Sequence, residues 1–315
     1  MNYIGQTDIV DDFRNRIKHD SLSHAFVLTG EKGIGKKNLA HFLSKALLCT
    51  EKGDVELPCG YCRACKGFDE EINPNFMVIR SETKNIVIKQ IRDLIDDIGT
   101  KPLQGRKVYV IEDADRMTVQ AQNCLLKTLE EPPAYAKIIL TTANYDALLL
   151  TIRSRIVRIN LKPSSIDDIK LIAQKNGIDI KGKEHLISLS RGNPGKAFQL
   201  MADKDFEENR RETLNFVFNE DSSSKLSFNQ YLSKNKNAFN TCMDILESIY
   251  RDALLIRCSF DDGLINSDKK DNILKYANTH SAIDITEKIS KIETVRSNMK
   301  RNMNYQLAVD IITMV

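Results

Sequence analysis

The sequence predicts an α/β domain built on a parallel sheet, followed by a small helical lid and an all-α C-terminal domain. Three observations predict it. Short β-rich apolar runs alternate with helical periodicity from Ala25 to Asn144. A glycine-rich loop joins the first of those runs to an apolar helix, and strand signal stops after about Lys162. Strands alternating with helices imply a sheet covered on both faces.

The elements follow in order. Ala25-Phe26-Val27-Leu28 is a buried strand ending at Thr29-Gly30, and Phe76–Ile79, Val108–Ile111 and Ile138–Leu140 are three more. Ile88, Ile91 and Ile95, then Ala121, Leu125 and Leu129, recur at helical spacing between them. Pro132-Pro133 closes the helix that begins near Thr118, because the residue before a proline resists helical geometry. Ser165 with Asp168 three residues on is close to a capping box and starts the helical lid. The polar stretch 219–237 reads as a loop. Ile245, Ile249 and Ala253 mark one helical face beyond it, and Met303, Leu307 and Ile311 another. The predicted domains are 1–162, 163–205 and 206–315.

At 315 residues the chain has room for two or three domains, and its 42% hydrophobic and 28% charged residues are those of a globular protein. No apolar run reaches the roughly 18 residues that span a bilayer. Met1-Asn2-Tyr3-Ile4-Gly5 has neither the basic start nor the apolar core of a signal peptide, so a cytoplasmic protein with no membrane partner is expected. The net charge of +3, from 46 basic and 43 acidic residues, argues against a dedicated nucleic-acid binder.

Gly30-Glu31-Lys32-Gly33-Ile34-Gly35-Lys36-Lys37 lies between a strand and the helix Leu39–Leu48, the context of a phosphate-binding P-loop. Glycines let backbone N–H groups turn inward, and the helix N-terminus adds partial positive charge. The frame Gly30, Gly33, Gly35, Lys36 fits. Lys37 does not, because a working loop places Ser or Thr there to ligate Mg2+. A unit charge about 4 Å from another is worth roughly 4 kcal/mol at an effective dielectric of 20. The strand Val108–Ile111 ends in Glu112-Asp113, the reverse of the Asp-Glu order of an acidic Walker B strand end. Hydrolysis is not expected; ATP or ADP binding is left open.

Cys49, Cys59, Cys62 and Cys65 read C-x9-C-x2-C-x2-C, and four converging thiolates match tetrahedral Zn2+. Gly60 supplies the backbone freedom of a zinc knuckle. A closed four-sulfur site has no open position, so a structural zinc module at 49–65 without catalysis is expected. Cys124, Cys242 and Cys258 sit within helical apolar patterns and read as core or near-core residues.

A zinc knuckle inserted after a P-loop helix resembles the bacterial clamp-loader subunits of the AAA+ class, the gamma/tau and delta prime subunits of DNA polymerase III. Ser23-His24-Ala25-Phe26, Ala114–Thr118, the run Ala121–Pro133, Thr141–Asn144 and Ile152-Arg153-Ser154-Arg155 are similar to segments of that family, continuously through about position 200. Asn302 to Asp310 is similar to the delta prime C-terminus. Lys37, the reversed Glu112-Asp113 and Lys196 in place of a second sensor arginine favour the delta prime type.

The resemblance implies an AAA+ P-loop-type domain, a lid and a C-terminal collar that joins subunits. It implies a sensor-like Asn144, and an arginine finger, Arg155, that reaches a neighbour's ATP site in trans, although Ile156 stands where the family has Cys. Implied partners are gamma/tau and delta subunits, the sliding clamp, and primed DNA through the assembly. The implied function is a non-hydrolysing scaffold within the DNA-directed DNA polymerase (nucleotidyltransferase) holoenzyme. An ATP-hydrolysing gamma/tau-type subunit is the alternative, which Lys37 opposes, and a zinc-dependent nucleic-acid binder is opposed by the balanced charge.

Overall fold

The computed structural model describes residues 3–51, 55–102, 105–260 and 263–314. Met1 and Asn2 of the predicted N-terminus, residues 52–54 of the predicted zinc module and Val315 of the predicted C-terminal domain lie outside the described residues. The chain forms two compact units, Met1–Gly177 with Gly192–Gly195, and Ile178–Arg191 with Lys196–Val315.

The first unit runs α1 (Thr7–Lys18), β1 (Ala25–Thr29), α2 (Lys36–Leu48), α3 (Arg63–Asp69), β2 (Phe76–Ile79), α4 (Ile88–Ile98), β3 (Lys107–Ile111), α5 (Val119–Glu130), β4 (Ala136–Thr142), α6 (Leu150–Arg153), β5 (Val157–Asn160) and α7 (Ile166–Lys175). The strands pair in parallel in the order β2-β3-β4-β1-β5. Successive side chains of a strand point to opposite faces. Ala25 and Val27 therefore pack with Leu94 of α4 and Leu125 of α5, while Phe26 and Leu28 pack with Phe13 of α1 and Leu43 of α2. Burial on both faces explains why β1 and β3 read as unbroken apolar runs.

Four of these strands match the predicted runs within two residues at either end. β5 does not correspond to any predicted strand. It pairs only with β1, and Val157, Arg158 and Asn160 are exposed, so an edge strand of this composition leaves no apolar signal. The predicted helix starts hold: Thr118 accepts from the Ala121 N–H at 3.2 Å, and Ser165 and Asp168 close a capping box.

In the second unit α8 (Glu184–Leu189) and the greater part of α9 (Pro194–Ala202) join α10 (Phe206–Asn219), α11 (Ser222–Lys234), α12 (Phe239–Arg257), α13 (Lys270–Thr279), α14 (Ala282–Met299) and α15 (Tyr305–Thr313). Ile245, Ile249 and Ala253 of α12 are buried as predicted, among Phe216, Phe228, Ile273, Ile292 and Val309.

Three expectations fail here in whole or in part. Residues 219–237 are not a loop, because α11 occupies 222–234. Asp221 caps it by accepting the Ser224 N–H at 2.6 Å, and Phe228 and Leu232, one turn apart, are buried. In α15 the buried stripe is Ala308, Val309 and Ile312; of the expected face, Met303 and Ile311 are half-buried against the core, while Leu307 is 52% exposed. The helix starts at Tyr305, capped by Asn304, which leaves Met303 before it. Of the remaining cysteines, Cys242 is buried and Cys124 half-buried, but Cys258 is exposed, against expectation. Among the described residues no helix is long and apolar enough to cross a membrane.

Candidate nucleotide pocket and metal centre

The loop between β1 and α2 has Gly33 at φ 90° and Gly35 at φ 105°, left-handed conformations that favour glycine. Lys36 is buried, and its Nζ donates to the carbonyls of Gly30 and Glu31, both at 2.8 Å. Desolvation pushes its pKa below that of an ordinary lysine. Asn193 Nδ2 donates to the Lys32 carbonyl at 2.9 Å, and the Gly195 N–H to that of Gly33 at 3.0 Å. Four successive loop carbonyls, Gly30 to Gly33, are thus bonded by donors of the chain itself. The approach at Gly195 is close enough that a Cβ there would lie 2.7 Å from the Gly33 Cα. Asn193 escaped the sequence reading, although its place in Gly192-Asn193-Pro194-Gly195 is a turn signal.

A cavity of about 290 Å3 opens beside the loop, lined by Gly33, Gly35, Lys36, Lys37, Asp113 and Asp115 among others. Glu112 and Asp113 follow β3 at the carboxyl end of the sheet, where open parallel sheets place their ligand crevices. The Lys37 ammonium lies 2.8 Å from Asp113 Oδ2 and 3.1 Å from Glu112 Oε2. Burial works against its charge, but the hydrogen bonds and charges of the two carboxylates prevail and raise its pKa. The buried Glu112 also meets His41 Nε2 and Arg80 Nε, each at 3.2 Å from Oε1. Neither was singled out in the sequence. His41 stands one turn beyond Lys37 on α2, which is a readable signal; Arg80 follows β2, whose pairing with β3 is not.

The P-loop fold implies Mg2+, and the residues present do not fit it. Position 37 offers no hydroxyl, and both carboxylates already hold an ammonium. Asp115 is engaged by Thr142 Oγ1 at 2.6 Å and the Ala143 N–H at 3.3 Å. Asn144 is exposed, with its N–H donating to Thr142 Oγ1. Lys196 belongs to the second unit, where Nζ lies 2.5 Å from Asp244 Oδ2. Asp244 also pairs with Arg296. Burial would raise the Asp244 pKa, but the Lys196 hydrogen bond and the Arg296 charge lower it.

Arg155, just after α6, is 35% exposed. Its Nη2 lies 2.6 Å from Glu130 Oε1, at the end of α5. Its Nη1 donates to the Thr151 carbonyl at 2.9 Å and Ser154 Oγ at 3.0 Å.

The four predicted cysteines converge, with all four Sγ atoms within 4.8 Å of one another. Cys49 to Cys62 and Cys59 to Cys65 are each 3.9 Å between sulfurs. Four sulfurs on a tetrahedron at about 2.3 Å from zinc stand about 3.8 Å apart, so the set fits a metal ion. Backbone N–H groups of Cys62 and Cys65 point at Cys59 Sγ and Cys62 Sγ. Burial pushes the Cys62 thiol up, but backbone N–H groups of Thr50 and Cys65 bring it down to about 6. The neighbouring elements grip the module: Lys45 of α2 binds both oxygens of Asp69 at 2.6 and 2.7 Å, and Arg14 of α1 pairs with Glu56 and donates to the Leu57 carbonyl.

A five-stranded parallel sheet, a P-loop at the end of β1 and an acidic pair at the end of β3 define a P-loop protein of the AAA+ type. The sequence model of the family described as DNA polymerase III, delta subunit, matches residues 5–165, and that of its C-terminal region matches 204–310. The DNA polymerase III subunit delta' of Bacillus subtilis is 30% identical over 302 residues, 93% of this chain and 90% of that protein. The chain belongs to the DNA polymerase III delta-subunit family, a family of clamp-loader subunits. The tau/gamma subunit of Haemophilus influenzae is 36% identical over 160 residues, 50% of this chain but 23% of that protein. Among solved structures, a gamma subunit-related protein of Thermotoga maritima aligns with a TM-score of 0.42 at 20% identity, over 97% of both chains.

Proposed function

We propose that the chain is a delta prime-type clamp-loader subunit that does not hydrolyse ATP and lends Arg155 to the ATP site of a neighbouring subunit. The observation that carries this reading is the Lys37 ammonium seated on both Glu112 and Asp113, where a hydrolytic site needs a metal. In this reading the division into 1–162, 163–205 and 206–315 is that of nucleotide-type domain, lid and collar. The four cysteines hold a structural zinc ion. The partners are gamma/tau and delta subunits, with the sliding clamp and primed DNA reached through the assembly in the cytoplasm.

Arg155 supports the trans role by chemistry: a partly exposed guanidinium held by one carboxylate can exchange that partner for a phosphate at small cost, since exposed ion pairs contribute about 0–1 kcal/mol. The test is ATP turnover. The isolated chain should show none above background, and turnover comparable with the assembled loader would overturn the reading in favour of a gamma/tau-type ATPase. In the reconstituted loader, Arg155→Ala should lower ATPase by about 10³-fold, the lower range for arginine fingers, while changing the unfolding free energy of this chain by under about 1 kcal/mol. Unchanged turnover would remove Arg155 from the site.

A further inference from the structure

We propose that Lys37 is a covalently tethered replacement for the divalent cation of a P-loop site, so that this pocket is closed to metal ions whether or not a nucleotide reaches it. The inference rests on the non-hydrolysing reading above and adds what has taken the metal's place.

Glu112 and Asp113 each lie within 3.1 Å of the same Nζ, that of Lys37. Glu112 is almost fully buried, so its charge needs a partner, and a buried carboxylate without one is strongly disfavoured. His41 and Arg80 occupy its other oxygen at 3.2 Å, which leaves Oε2 to Lys37. Asp113 sits at φ 52°, a conformation uncommon for a residue other than glycine, with its N–H bonded to Thr141 Oγ1 at 3.0 Å. That backbone anchor holds its carboxylate beside Lys37. A metal ion would have to displace the ammonium and then lie within a few ångströms of it, against repulsion from a charge that cannot diffuse away.

Mn2+, whose paramagnetism reports proximity, is the probe, used on zinc-loaded full-length protein. The wild-type chain should show no saturable broadening of the Gly35, Lys36 and Asp113 amide resonances. Lys37→Thr, which removes the charge and supplies a hydroxyl, and Lys37→Met, which removes only the charge, should each gain a site at these amides. Removing one unit charge about 4 Å from a divalent ion in a water-like dielectric corresponds to roughly 30-fold in affinity. Broadening of these amides in the wild-type chain overturns the inference, a measurement that does not depend on either variant folding. Folded variants with no gain in Mn2+ affinity also overturn it. An ATPase-inactive wild-type chain that takes Mn2+ into this pocket would sink the inference and leave the functional reading standing.

Discussion

Lys37, Lys196 and Arg155 are three basic side chains singled out in the sequence for phosphate or metal chemistry, and each is bound to carboxylates of its own chain. Lys37 holds Glu112 and Asp113, Lys196 holds Asp244, and Arg155 holds Glu130. The partners of Lys196 and Arg155 were not legible in the sequence, because Asp244 and Glu130 come from elements whose meeting depends on the fold. The strongest test of a buried carboxylate lies elsewhere. Asp252 is fully buried and accepts from the N–H groups of Ile265 and Asn266 at 3.0 and 2.7 Å and from Asn266 Nδ2 at 3.0 Å, with Arg251 Nη1 at 3.1 Å. Asp252→Ala strands those donors and should cost about 3–5 kcal/mol in chemical denaturation of the second unit. A loss under about 1 kcal/mol would show that water replaces the carboxylate there.

At the scale of elements, α3 is a helix of seven residues that buries little beyond Cys65. A helix so short is not stable by itself; its fixed points are the sulfur cluster, the Lys45–Asp69 pair and Phe68, whose ring centroid lies 4.5 Å from that of Phe76 on β2. Chelating a metal ion held by the four cysteines should therefore loosen this segment and spare the sheet, whose two cores α3 meets only through the half-buried Phe68. Tryptic cleavage at Arg63 and Lys66 should rise by at least about tenfold on chelation, as local opening replaces local order, while cleavage at Lys107 of β3 and Lys137 of β4 stays unchanged. Cleavage equal with and without chelator would mean that the cysteines do not order the module. Legibility at this scale followed burial. Strands covered on both faces announced themselves as apolar runs. β5, exposed along an edge, and α11, serine-rich on its outer face, carried too little apolar periodicity to be seen, although Asp221 with Phe228 and Leu232 was a cue in plain view.

At the scale of the whole molecule, each unit has its own hydrophobic core, so each can respond to pH by itself. In the second unit Asp244 and Asp268 have lowered pKa values: burial opposes the shift in both, and Lys196 with Arg296, or Arg210, outweighs it. A carboxylate whose pKa is lowered by folding stabilises the fold above its unfolded value of about 3.9 and loses that contribution as pH falls through the folded value. Stability of the second unit should then decline below about pH 4. Asp244→Asn should lose about 1–3 kcal/mol near neutral pH, where the pairs with Lys196 and Arg296 are intact, and show a shallower decline in acid. A variant whose acid slope matches the wild type would show that Asp244 is not the titrating group.

The four bonded carbonyls of the P-loop carry one more consequence. A loop held open by a bound molecule is only as well formed as that molecule is abundant, because stabilisation grows with the logarithm of free ligand. Here the donors, Lys36, Asn193 and the Gly195 amide, are parts of the same polymer. Their local concentration is constant by construction. The shape of this loop is accordingly indifferent to dialysis, to dilution and to the energy charge of its surroundings.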